Sequence, residues 1–288
     1  MAMLAVGALL LVLAAPAPAA DIFPAQDACH TVNNSAPSGN CGAFTQVYRE
    51  TFNASAVPVG AFSGCVDGSF ACSGLKTKYP ALYAGLGAYP SGWPDTAGSG
   101  ADDNSGPVPG EYHPEKTVSV QKVTDGMLRV HMTSTGSSNN VAALVPRKCT
   151  FRYGKFTERT RISSLARRFK MAHLHYSPKE IDYPEAGGSF GQDPISEFTH
   201  GFAESGADAA PNSAWTGWHT YSQEIVPGQV RFYFDGRLFK TVKADYPDTT
   251  EWVLQNESAL GVSSAYVKGQ PTSVNVDTTW LTCYRYSG

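Results

Sequence analysis

Three acids stand close together in a segment that is otherwise apolar or small: Glu180-Ile181-Asp182-Tyr183-Pro184-Glu185-Ala186-Gly187-Gly188. On a β-strand side chains alternate between faces, so Glu180 and Asp182 point the same way and Glu185, an odd step away, points to the other side. One residue inserted as a β-bulge returns Glu185 to the first face. Pro184 suits such an insertion, because it has no N–H to give to a ladder and strand prolines sit at edges or bulges. With the bulge, Glu180 and Glu185 are roughly 13 Å apart along the backbone. Leaning side chains then bring their carboxyl groups to about 5–5.5 Å, the separation that supports hydrolysis of a glycosidic bond with retention. Three acids that close do not all ionise easily, so at least one holds its proton to higher pH. The bare spacing arises by chance in about one chain in twenty of this length, so the surrounding elements must carry the argument.

Other residue types point to binding. An aromatic face stacks on the C–H face of a sugar ring, and Tyr89, Trp93 and Trp215, with His200, are the candidate substrate contacts. His173 and His175 share a strand face; His175 is taken as a cleft residue, with a hydrogen-bonded core histidine as the competing reading. No third metal ligand lies near them, and no metal site is expected. Trp218 and Trp252 read as packing residues. From Arg147 to Lys170 the chain carries nine basic residues and one acid, Glu158. Lys155, Arg159 and Arg161 share one face there, either a solvated outer face or a contact for an anionic polysaccharide.

The elements that would position these groups are strands. Gln46 to Phe52 alternates. Thr117 to Val123 and Met127 to Met132 flank the turn signal Asp125-Gly126. Val141 to Val145, Phe151 to Ile162, Lys170 to His175 and Ile195 to Phe202 follow, then Trp218 to Val226 and Gln229 to Phe234 over Pro227-Gly228. Leu238 to Val242, Trp252 to Leu254 and Ser273 to Tyr284 complete the set. Short strands at regular spacing predict an all-β protein, an antiparallel β-sandwich, with at most one short helix. Tyr79 to Gly110 has no periodicity and reads as a long cleft-lining loop.

Residues 1–20 lack charged side chains, contain an apolar run from Leu4 to Ala15 and end near Ala17-Pro18-Ala19, which reads as a secretory signal peptide. An irregular arm at 21–45 and a single domain at 46–288 follow. The net charge of -3 argues against nucleic acid as a partner, no segment reads as a membrane span, and a monomer is expected. Cys29, Cys41, Cys65, Cys72, Cys149 and Cys283 make an even set, suited to disulfides in an oxidising, extracellular setting. Fifteen pairings are open. Nearest-neighbour pairing gives Cys29–Cys41, Cys65–Cys72 and Cys149–Cys283.

The order of motifs resembles glycoside hydrolase family 16. Tyr153-Gly154-Lys155-Phe156 is similar to that family's strand entry, and Glu180 to Glu185 to its bulged acid signature. Trp218-His219-Thr220-Tyr221 with Val230 to Gly236 is similar to its H-T-Y…F-Y-x-D-G hairpin, and Val276-Asp277 to Tyr284 to its closing strand. The resemblance implies a concanavalin-like jelly roll with a concave substrate cleft. It implies Glu180 as nucleophile, Asp182 as helper acid and Glu185 as acid/base. It also implies a β-1,3- or mixed-linkage glucan as substrate and no cofactor, a structural calcium being compatible. The segment Ala172 to Lys179 departs from the family, which often places Trp there. Two other functions remain open at this point. One is a hydrolase or lyase of an anionic polysaccharide, drawing on Lys155, Arg159 and Arg161. The other is a non-catalytic lectin-like module, which needs the aromatics but not the acids.

Overall fold

The alternating segments pair into two layers. A computed structural model describes residues 35–97, 108–122, 126–163, 167–187, 195–202, 206–209, 216–260 and 267–288. One sheet runs in the order β2 (Leu86–Ala88), β7 (Asn139–Pro146), β16 (Glu251–Ser258), β9 (Phe169–Tyr176), β10 (Glu180–Gly187), β11 (Ser196–His200) and β12 (Gly206–Ala209). The other centres on the long strand β17 (Ser273–Tyr286). On one side β17 pairs with β1 (Phe44–Glu50) and with β6 (Gly126–Ser134), which in turn pairs with β5 (Val118–Lys122). On the other side it pairs with β8 (Gly154–Ile162), followed by β13 (His219–Val226), β14 (Gln229–Phe234) and β15 (Arg237–Val242). β7 belongs to both layers: its first residues pair with β6 and its later ones with β16. All the sheet pairings named here are antiparallel, and the architecture is a jelly-roll β-sandwich with a concave cleft.

Apolar residues of both sheets meet between the layers. Tyr183 of β10 packs edge-on against Tyr221 of β13 and Phe232 of β14. Phe156 of β8 lies against Trp252 of β16. The hairpin between β14 and β15 turns at Asp235 and Gly236, both at positive φ, as a two-residue turn with the twist of its strands requires. The β5–β6 hairpin is present in the pairing of Lys122 with Gly126.

Disulfides join Cys65 to Cys72 and Cys149 to Cys283, two of the nearest-neighbour pairs. Cys41 is also disulfide-bonded, with a partner outside the described residues. The signal-peptide segment lies outside them too. No helix among the described residues is long and apolar enough to cross a membrane.

The 79–110 segment corrects the reading of a structureless loop. It contains helix α2 (Pro80–Gly85), strand β2, and β3 (Trp93–Pro94) paired with β4 (Gly110–Tyr112). With α1 (Ser73–Lys76) and α3 (Pro114–Thr117), the described residues hold three short helices instead of at most one. Two begin with proline in the first turn, where its missing N–H costs nothing. Four to six residues are too few to show helical periodicity.

Candidate active site

β10 pairs Asp182 with Leu174 of β9 and with Phe198 of β11; its next partners are Glu185 with Ala172 and with Ser196. β10 thus advances three residues while each neighbour advances two. The additional residue is the bulge, at Tyr183-Pro184, a cis peptide. Tyr183 turns into the core, where its hydroxyl donates to the Tyr233 carbonyl at 2.7 Å and its own carbonyl accepts from Gln223 Nε2 at 2.6 Å. These bonds and aromatic contacts with Tyr221, Phe232 and Phe239 fix the bulge from behind.

Directly paired residues on antiparallel strands share a face, so the cleft floor is read in rows across β16, β9, β10 and β11. The first is Glu251, Tyr176, Glu180 and His200. The second is Val253, Leu174, Asp182 and Phe198. The third is Gln255, Ala172, Glu185 and Ser196. Beyond it, Glu257 stands opposite Lys170. All three acids singled out in the sequence therefore face one way. Asp182 Oδ2 accepts from His200 Nε2 at 3.1 Å, and Glu185 Oε1 lies 3.0 Å from Lys170 Nζ. Asp182 Oδ1 is buried with no hydrogen-bond partner among the described residues.

Electrostatics separates these groups. Burial pushes the Asp182 carboxyl up to about 8; the bond from His200 opposes this, and the charges of Glu185 and Glu180 add to it. Burial also raises Glu180, with His200 pulling the other way. His200 is raised in turn, chiefly by its bond to Asp182. Burial works against the charge of Lys170, yet the attraction of Glu257 and Glu185 outweighs it and keeps the ammonium protonated. Asp182 and Glu180 thus hold protons to higher pH than free carboxyls do. Glu180, Asp182 and His200 also bring possible ligand atoms within 4.8 Å of one another, so they are the described residues best able to hold a metal ion.

The aromatic candidates divide. Tyr89 is close enough to feel Glu251 and Glu180. It packs on Trp93 at 5.7 Å and on Tyr112 at 5.3 Å, so Tyr89 and Trp93 form one platform at the edge of the acid floor. Buried Asp95 holds this platform in place: its carboxylate accepts from Gly110 N at 3.2 Å and from Ser258 N at 2.9 Å, tying β4 to β16. Trp93 keeps 36 % of its surface exposed. His200 lies on the cleft floor. Trp215 lies outside the described residues.

His175 is a correction. It sits on the core face of β9, fully buried, 4.0 Å from Phe156 and stacked on Trp252. Burial pushes its imidazole down to about 3, so it stays neutral. His173 shares that face and bonds Glu158 at 2.7 Å. The pairing of Tyr176 with Glu180 contains the signal that separates them, since it puts Tyr176, and not His175, on the face of the acids. Lys155, Arg159 and Arg161 lie on the outer face of β8, away from the cleft. Lys155 is fully buried against Glu224, Arg161 pairs with Asp277, and both arginines lie over Trp218. Lys170, Glu257 and Tyr112 are site residues that the sequence reading did not select.

No protein-family profile and no curated protein matches the sequence. Solved structures do. A glycosyl hydrolase family 16 protein from Mycobacterium smegmatis superposes with a TM-score of 0.59 at 14% identity, over 83% of this chain and 100% of its own. The fold is that of the family 16 glycoside hydrolases. LamA from Zobellia galactanivorans, in complex with laminaritriose and laminaritetraose, gives 0.58 at 15% identity over 84% and 99%. An immunostimulatory antigen and pseudo β-1,3-glucanase of Mycobacterium tuberculosis gives 0.59 at 14% over 83% and 98%. One fold thus holds proteins described as a hydrolase and as a pseudo-enzyme, so activity has to be argued from side chains.

Proposed function

We propose that this chain is a secreted endo-glycoside hydrolase that cleaves internal β-linkages of a neutral glucan, β-1,3- or mixed-linkage, with retention of configuration. The observation that carries the reading is the bulge in β10, which brings Glu180, Asp182 and Glu185 onto one face of a concave sheet. In this mechanism Glu185 gives its proton to the glycosidic oxygen as the C1–O bond breaks and the leaving chain departs. Glu180 attacks C1 and forms the glycosyl ester. Glu185, now ionised, takes a proton from water as that water attacks C1 and displaces Glu180. Asp182 stands in the row between them, and its hydrogen bond from His200, the residue paired with Glu180, positions a proton beside the nucleophile. Tyr89 and Trp93 offer stacking faces for sugar rings.

A neutral substrate fits the charge of the floor, where carboxyl groups outnumber cations and would repel an anionic chain. The basic residues that favoured an anionic polysaccharide lie on the opposite face of the sandwich. Laminari-oligosaccharides in the LamA complex support the glucan assignment. The Cys65–Cys72 and Cys149–Cys283 bridges support folding in an oxidising compartment.

The test is purified protein against a panel of neutral and anionic polysaccharides, reading new reducing ends and ultraviolet absorbance together. Reducing ends from a β-glucan without an unsaturated product are expected. Absorbance from a new double bond would indicate a lyase. Binding of glucan without cleavage would leave a lectin-like module.

A further inference from the structure

Lys170 and Glu257 lie against Glu185 without belonging to the acid signature. Lys170 Nζ is 3.0 Å from Glu185 Oε1 and 3.0 Å from Glu257 Oε1. Glu257 Oε2 accepts from Gln255 Nε2 at 2.8 Å, and Gln255 extends to Thr96 Oγ1. Lys170, Glu185 and Glu257 have side chains 9%, 4% and 1% exposed. A buried charge that loses its partner is strongly unfavourable. An ammonium paired with Glu185 alone would be stranded each time Glu185 took up a proton. With Glu257 on its other side, it keeps a counter-ion in both protonation states.

We propose that Lys170 and Glu257 are opposed positioning residues for Glu185: Lys170 draws it toward the carboxylate, and Glu257 offsets that pull so that Glu185 can carry the proton it donates. The proposal rests on the acid/base role given to Glu185 above. Other charged or titratable groups face the same space. Glu180 and Asp182 come from β10, Tyr176 from β9, Glu251 from β16 and His200 from β11. Tyr89 and Tyr112 approach from the platform. Among the described residues facing this space Lys170 carries the fixed positive charge, and its ion-pair partners among them are Glu185 and Glu257, so opposite effects are expected from the two members of the pair.

The experiment is the pH profile of kcat/KM on a β-glucan for the wild type, Lys170→Met, Glu257→Gln and the double variant. The alkaline limb, which reports loss of the donating proton, should move up by about one pH unit or more in Lys170→Met and down by a similar amount in Glu257→Gln. The double variant should return toward the wild type. A limb that stays in place in either folded single variant, or moves the same way in both, would overturn the proposal and leave the pair a structural one. If Lys170→Met does not fold, the downward shift in Glu257→Gln decides alone. A second readout needs no activity: in protein labelled with ¹³C at glutamate carboxyls, the Glu185 resonance, identified by its loss in Glu185→Gln, should titrate at higher pH in Lys170→Met and at lower pH in Glu257→Gln. If no glucan is cleaved, the functional reading fails while this measurement still tests the linkage.

Discussion

On the outer face of β8, Lys155 is fully buried with its ammonium 3.4 Å from Glu224 Oε1. The other oxygen of Glu224 accepts from Tyr233 at 2.8 Å and from Arg231 at 3.1 Å. Nearby, Asp277 takes both Arg129 and Arg161. Cations there equal or outnumber acids, and each acid meets donors on both oxygens. On the cleft floor the proportions reverse. Among the described residues, five carboxyl groups, Glu180, Asp182, Glu185, Glu251 and Glu257, face one lysine and one histidine. One buried carboxylate oxygen there has no protein donor among the described residues. Closed networks of opposite charge hold a structure together. An excess of acids, with Asp182, Glu180 and Glu251 raised by burial, stores free energy for chemistry instead, at a cost in stability.

The contrast predicts that variants on the two faces fail in different assays. Glu180→Gln keeps shape and removes the charge that attacks C1, so kcat should fall by about a thousandfold or more, with oligosaccharide binding retained. Near-normal turnover would remove Glu180 from the mechanism. On the outer face, Glu224→Ala takes a counter-ion from buried Lys155 and an acceptor from Tyr233. It should destabilise the fold by about 3–5 kcal/mol, seen in urea denaturation, with turnover per folded molecule unchanged. An Ala variant at 224 that unfolds like the wild type would show that the outer network contributes little.

The pH dependence of stability gives a finer comparison. Asp182 binds its proton more tightly in the folded chain, where burial pushes its carboxyl up to about 8, than in the unfolded chain, where it is an ordinary carboxyl near pH 4. Between those values the folded state binds more protons, so stability falls as pH rises through that window. His200 is raised as well and contributes in the same direction. The unfolding free energy of the wild type, from urea titrations, should drop from about pH 4 to about pH 8 by at most about 1.4 kcal/mol per pH unit for this one group, and Asp182→Asn should flatten that slope. Equal slopes in the two proteins would refute the assignment.

The sequence carried the acids and their bulge, because residue type, strand parity and Pro184 are all local properties. It carried most long strands for the same reason. What it lacked is which sheet covers which face. Parity correctly grouped Lys155, Arg159 and Arg161, but only the packing of Phe156 and Glu158 against β9 and β16 shows that the group points away from the cleft. Lys170 looked like one more member of a basic run. Its partner Glu257 comes from β16, far along the chain, so no local pattern joins them. The short helices and β2 to β4 escaped because pairing with distant β7 and proline-started turns, rather than periodicity, define them. His175 was misplaced although the Tyr176–Glu180 pairing follows from a short hairpin turn.

The smallest expected effect compares two tryptophans. Trp93 is exposed at the edge of the acid floor and rests on Tyr89, which is fixed in turn against Tyr112. Trp218 lies on the outer face under Arg161 at 4.6 Å and Arg159 at 5.7 Å. If the cleft binds glucan by stacking, Trp93→Ala removes one ring face that contributes about 0.5–1.5 kcal/mol. KM should then rise by about 3–10-fold, with kcat changed by less, because stacking away from the reacting bond is made equally in the ground and transition states. Trp218→Ala should leave KM alone and lower thermal stability slightly, since its ring serves the two arginines. Steady-state kinetics on one soluble β-glucan measures both. A KM that rises for Trp218→Ala and not for Trp93→Ala would move the binding surface to the outer face. Equal KM values in both variants and the wild type would place substrate contacts elsewhere on the floor, where Tyr176, 56 % exposed beside Glu180, is the next ring to test.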